Sequence, residues 1–193
     1  MWCTDVLREE HRWILRMLQC LERVCLDCEQ KGRLEAEGTA ELMALFTHFA
    51  DGLHQEREER FLFPRILARA RCVNERTDVG RLCGEHEQER QALARMTQEL
   101  LGAIYGEARS LRGFLMAARR FIELQREHLL HENRELLPLA DQLLTAEDDQ
   151  AVLSGFASLE DLGLGDPKRI LRRIENLSVQ LGVVPPPDPL PTP

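Results

Sequence analysis

Aromatic side chains are few in this chain of 193 residues: seven phenylalanines, two tryptophans and one tyrosine, 5% of the total. With β-branched residues also scarce, little material is left for strands. Long apolar runs are missing too. No stretch reaches the roughly 18 uncharged apolar residues that a membrane-spanning helix needs. The opening residues hold no apolar segment of signal-peptide length, so a cytoplasmic protein is expected. Blocks of lysine and arginine are absent, and the net charge of −8 argues against nucleic acid or an anionic membrane surface as the main partner. Among the six cysteines (Cys3, Cys20, Cys25, Cys28, Cys72, Cys83), Cys25 and Cys28 form the one close pair. A lone pair of that kind supports neither a zinc site nor a disulfide framework, and reduced structural thiols are expected.

What the chain has in quantity is helix formers: leucine, alanine, glutamate, arginine and glutamine dominate the periodic stretches, with glycine and proline falling mostly between them. The expected class is all-α. The length suits one core with some tail left over. Residues 1–144 are expected to form an up-down-up-down four-helix bundle, 145–183 a C-terminal helical appendage, and 184–193 a proline-rich extended tail.

The chemistry concentrates in His54-Gln55-Glu56-Arg57-Glu58 and its echo His128-Leu129-Leu130-His131-Glu132. Residues i and i+4 of a helix lie on one face, so each segment aims an imidazole and a carboxylate at the same point. A proline follows ten residues after the histidine both times, at Pro64 and Pro138. A further histidine precedes each pair, His11 by 43 residues and His86 by 42. The chain thus reads as a helix-hairpin unit used twice. Helices 1 and 2 would give His11 and His54 to one ion, helices 3 and 4 would give His86 and His128 to another, and Glu58 and Glu132 would bridge. Nitrogen and carboxylate ligands without thiolate fit non-haem iron better than structural zinc, with manganese and zinc left open.

Taken in order, helix 1 is expected from Thr4 as N-cap to Gln30, with His11 in the inward row of Leu7, Ile14 and Leu15. Helix 2 is expected after Gly38-Thr39, with a kink or break at Pro64. Gln55, Glu56, Arg57, Glu59 and Arg60 read as a solvated face around the inward Glu58. Helix 3 is expected from Thr77 or Asp78 to Tyr105-Gly106, with Gly80 and Gly84 letting a neighbour come close. Helix 4 runs from Ser110 to Leu144. Two shorter helices flank a break at Gly163-Leu164-Gly165-Asp166-Pro167, opening with the capping signal Thr145-Ala146-Glu147-Asp148. They read as a packing appendage first and a partner surface second. His48 and His131 lie off the ligand row.

The order His11, His54-x-x-x-Glu58, His86, His128-x-x-x-Glu132, with Phe61-Leu62-Phe63-Pro64 after the first glutamate, resembles the hemerythrin-like (HHE cation-binding) domain family over residues 4 to 143. The resemblance implies a four-helix bundle around an oxo- or hydroxo-bridged di-iron centre, with an open position on each ion for a diatomic molecule or peroxide. It implies a protein that binds O2, NO or peroxide in sensing or in protection against oxidative or nitrosative stress. Arg90 stands where oxygen carriers of the family have a fifth histidine, and Glu132 where they have aspartate. The pattern is instead similar to the four-histidine, two-glutamate type of the iron-centre repair proteins, and reversible oxygen transport is not expected. Two alternatives stay open: a di-iron peroxidase or NO reductase, and an iron-responsive module that engages a protein partner through residues 145–193.

Overall fold

The structure, a computed structural model, describes residues 2–159 and 166–183, without the side chains of 75–77. The expected break at 163–165, the tail from 184 onward and the side chain of Thr77 lie outside the described residues. Among the described residues there is no strand, and the helices number six. Helix α1 spans Cys3–Lys31. Helix α2 (36–69) joins α-helical Ala36–Leu45, π-helical turns at Phe46–Gln55 and Glu58–Leu62, and α-helical Phe63–Arg69. Helix α3 is Val73–Ile104. Helix α4 (108–143) joins Ala108–His131, a π-helical turn Glu132–Leu136 and Leu137–Leu143. Helices α5 (Ala146–Leu159) and α6 (Pro167–Gln180) follow. The connections after α1, α2 and α3 are short, so successive long helices run antiparallel and form the four-helix bundle.

Several boundaries differ from the expectation. Helix α1 starts a residue earlier: the Trp2 N–H donates to Asp5 Oδ2 (3.0 Å), while Thr4 is buried and its hydroxyl donates to Asp141 Oδ1 (2.6 Å). Its end is a left-handed Gly32 (φ 69°) whose N–H closes on the Cys28 carbonyl, a conformation glycine adopts without a Cβ clash. Helix α2 takes in Gly38 and Thr39, and Leu177 and Leu181 lie over Gly38. Helix α3 begins at Val73, ahead of the expected Thr77.

Pro64 and Pro138 break nothing. In front of each, the chain makes a wider turn in which the N–H of Phe63 reaches the Glu58 carbonyl and that of Leu137 reaches the Glu132 carbonyl, five residues back. The proline then sits in the first turn of the next α-helical stretch, where its missing N–H costs little. Gly80 and Gly84 are exposed with open space at their Cβ positions, so no neighbouring helix uses them.

The buried apolar residues form two clusters rather than one. The larger holds Ile14, Leu18, Leu53, Leu93, Leu124 and Leu129, and the smaller holds Leu7, Leu62, Phe63, Leu82 and Leu136. On all four long helices a histidine or glutamate of the repeat stands between a member of one cluster and a member of the other. A polar layer therefore divides the core, with water excluded above and below it.

Helices α5 and α6 pack against this bundle. Ile170, Ile174 and Leu177 of α6 and Val152, Phe156 and Leu159 of α5 are buried, each contributing on the order of 1.5–3 kcal/mol if fully withdrawn from water. Helix α5 is also tied at its start: the Cys3 N–H donates to Asp149 (2.7 Å), and Arg69 donates to Asp148 (2.8 Å). That arginine holds the Asp148 carboxyl down at about 2. Further along, a Cβ on Gly155 would run into the Phe61 ring. Gly155→Ala is accordingly expected to destabilise the protein by about 1–3 kcal/mol through overpacking. Urea unfolding followed by circular dichroism measures it, and an unchanged midpoint would show that α5 does not pack this closely.

Candidate metal centre

The six residues singled out in the sequence converge within the polar layer. None of His11, His54, Glu58, His86, His128 and Glu132 is more than 2% exposed. They form two groups, His11, His54, Glu58, Glu132 and Glu58, His86, His128, Glu132, each with one ligand atom per residue and all such atoms within 4.8 Å of one another. Both glutamates belong to both groups. Glu132 Oε2 lies 3.1 Å from His11 Nε2 and 3.3 Å from His128 Nε2, while Glu58 Oε2 lies 3.4 Å from His86 Nε2 and 3.7 Å from His54 Nε2.

Each imidazole is held from behind by its other nitrogen. Nδ1 of His54 faces Glu10 Oε2 (2.9 Å), that of His86 Glu59 Oε1 (2.7 Å), that of His128 Glu85 Oε2 (3.0 Å), and that of His11 Asn133 Oδ1 (3.1 Å). All four partners are oxygen acceptors, so each Nδ1 carries the proton and donates it. In the neutral ring each Nε2 then points a lone pair inward. This outer support obeys the sequence repeat. The residue before His11 serves His54, and the residue before His86 serves His128; the residue after Glu58 serves His86, and the residue after Glu132 serves His11.

Four inward lone pairs and two carboxylates leave a buried chamber rich in acceptors and short of donors. Among the described residues, both oxygens of Glu58, both of Glu132, and Nε2 of His11 and of His54 have no hydrogen-bond partner in good geometry. Nε2 of His86 and Nε2 of His128 lie 3.0 Å apart. Buried acceptors at this density cost several kcal/mol unless cations or protons stand among them. Protons do so in part. Burial pushes His54 and His86 down and keeps them neutral. Burial and the charge of Glu132 push Glu58 well up. Burial opposes charge on His128 and Glu132 as well, but their mutual attraction prevails, holding the imidazole well above and the carboxyl well below their ordinary ranges. Metal binding to such a set must release protons.

A family model, the hemerythrin HHE cation-binding domain, matches residues 4–140, a span that takes in all six residues and the four long helices. The chain belongs to this family. It is therefore a metal-cation-binding protein of the hemerythrin type, for which iron is the typical metal, and its histidine and glutamate groups fit such a cation. No curated protein and no solved structure matches the chain. Helices α5 and α6 lie beyond the matched residues. No helix among the described residues is long and apolar enough to cross a membrane.

Three residues around this hemerythrin-type centre, Gln55, Arg57 and Glu59, were misread from the sequence. Of the supposed solvated face, Gln55 and Arg57 are buried and Glu59 turns in to hold His86. The His86 hydrogen bond holds the Glu59 carboxyl down at about 2. Arg90 does not point at the centre; it donates to Glu59 (3.0 Å) and Gln55 (3.1 Å). His131 joins Glu85 behind His128, and His48 is exposed. Tyr105 is 82% exposed and takes no part. Glu89, one turn after His86, is buried between the Gln55 and Gln125 amides (2.6 and 2.5 Å), and burial pushes its carboxyl up to about 7. The Glu10-His11 and Glu85-His86 dipeptides, repeated in register, were the sequence signal for two of the outer partners.

Proposed function

We propose that the protein holds a carboxylate-bridged di-iron centre at His11, His54, Glu58, His86, His128 and Glu132, binds O2, NO or peroxide there, and acts in sensing or in protection against oxidative or nitrosative stress. The observation that carries this reading is the sharing of both glutamates between the two four-residue groups. With two oxygens per glutamate, each carboxylate could serve both ions, and each ion would keep one imidazole pair of its own: His11 with His54, and His86 with His128. A pair of bridged irons supplies one- and two-electron chemistry and coordination positions for a small ligand.

The chain supplies the setting. The outer acceptors fix every imidazole as the Nδ1–H tautomer, keeping Nε2 free to coordinate. The two apolar clusters exclude water, which favours a diatomic molecule over a polar substrate. Glu89, near half-protonated at neutral pH, can hold a proton at a carboxyl oxygen beside the layer. The half with His86 and His128 is backed by partly exposed pairs, Glu59 with Arg90 and Glu85 with Arg81, and is the side nearer solvent.

Metal analysis of the purified protein, with visible spectra in air, under NO and with peroxide, tests the reading. About two irons per chain and a ligand-dependent absorption change are expected, and iron at or below trace level would sink it. Stoichiometric spectral change without turnover fits binding or sensing, whereas sustained consumption of NO or peroxide would make the protein an enzyme.

A further inference from the structure

Behind three of the four imidazoles the supporting chain ends near the surface or in a neutral amide. Glu59 and Glu85 meet Arg90 and Arg81, whose side chains are about a third exposed, and His11 rests on Asn133. His54 is different. Glu10 takes the His54 Nδ1–H on one oxygen and forms an ion pair with Arg57 on the other, and Arg57 is 2% exposed. Over the Arg57 guanidinium lies the ring of Phe156, with the guanidinium carbon 5.1 Å from its centroid. Phe156 belongs to α5, outside the residues that the family model matches, and is itself buried.

We propose that α5 is a positioning element of the metal centre: Phe156 shields the Arg57–Glu10 pair, and that pair fixes the His54 imidazole, so this helix beyond the four-helix bundle sets how firmly the ion at His11 and His54 is held. The proposal rests on the di-iron reading for its metal part and on the hydrogen-bonded chain alone for the rest. A cation over an aromatic face gains most when both are out of water, and an ion pair in a dry setting holds its geometry better than an exposed one. The close seat that Gly155 gives α5 against Phe61 brings the Phe156 ring into place. Tethers at Asp148 and Asp149 hold the start of the same helix. Water admitted to Arg57 would weaken its grip on Glu10 and free the imidazole to turn.

The test compares the full chain with Phe156→Leu, which keeps apolar bulk without a ring, and Phe156→Tyr, which keeps the ring; Phe156→Met replaces the leucine variant if that one does not fold. In metal-free protein, the His54 Nδ1–H proton is followed by NMR, and its exchange with water is expected to be about tenfold faster in the leucine variant and unchanged in the tyrosine variant. In iron-loaded protein challenged with a chelator, one iron of the leucine variant is expected to leave about tenfold faster, in line with the usual cost of disturbing a ligand's hydrogen-bond partner, while the other leaves at the original rate. Unchanged proton exchange in the leucine variant, equal acceleration of both irons, or a tyrosine variant that behaves like the leucine one would overturn the proposal. A parent protein that never takes up two irons overturns the di-iron reading instead, and the NMR comparison still decides whether α5 positions His54.

Discussion

Glu58→Ala or Glu132→Ala is expected to lower bound iron well below two ions per chain, whereas His48→Ala leaves it near two. Each glutamate stands in both four-residue groups, so on the di-iron reading its removal would take a ligand from both ions at once. Losing one of the two carboxylates would also leave the cations with four neutral imidazoles and a single negative ligand. His48 is exposed and on no ligand row, and serves as the control. Iron determined by atomic absorption after loading and desalting gives the measurement; equal iron in all three variants would refute the ligand assignment. Circular dichroism of the metal-free variants checks that both fold; Glu132→Ala is expected to be the less stable of the two, because it removes the carboxylate paired with buried His128.

Iron removal is expected to lower the melting temperature of the native sequence by roughly 10 °C. A ligand that binds the folded state alone and is present at a thousand times its dissociation constant stabilises by about 4 kcal/mol. For a domain of this size each kcal/mol moves Tm by about 2–4 °C. The effect should run through the polar layer, since the apolar clusters above and below it are complete without metal and the six acceptor-rich side chains are not. Calorimetry of iron-loaded protein and of protein treated with chelator and reductant reads the difference directly. An unchanged melting temperature would mean that the layer is already satisfied by protons.

The six inward residues were legible because their sequence pattern is local. His54 with Glu58 and His128 with Glu132 share a helical face by spacing alone, and the doubled order of the chain marks His11 and His86 as their counterparts. The outer residues were not legible for an equally physical reason. Glu59 and Arg57 sit one position to either side of Glu58, among charged neighbours, and on an isolated helix they look like any solvated face. What engages them comes from elsewhere in the chain: His86 of α3 claims the half-buried Glu59, while Glu10 of α1 and Phe156 of α5 enclose Arg57.

Turns of different pitch escaped for a related reason. Pro64 and Pro138 signal trouble for a regular helix, and a kink is the usual remedy. The chain widens one turn after Glu58 and after Glu132, where Phe63 and Leu137 enter the smaller apolar cluster. The glycine pair at Gly80 and Gly84 failed as a packing signal because the side of α3 that carries it has no neighbour, whereas Gly155, unremarked in the sequence, lies where two elements touch.

By itself the sequence determined the helical class, the lengths of the long helices to within a few residues, and the family to which residues 4–140 belong, since periodicity and ligand spacing are properties of single helices and survive without tertiary contacts. Only the tertiary structure decided which oxygen backs which imidazole, that the two inward carboxylates have no well-placed hydrogen-bond partner among the described residues, and which side chains seat the C-terminal helices on the bundle. Those are relations between segments up to 167 residues apart, and nothing in the order of side chains along one helix encodes who will stand opposite.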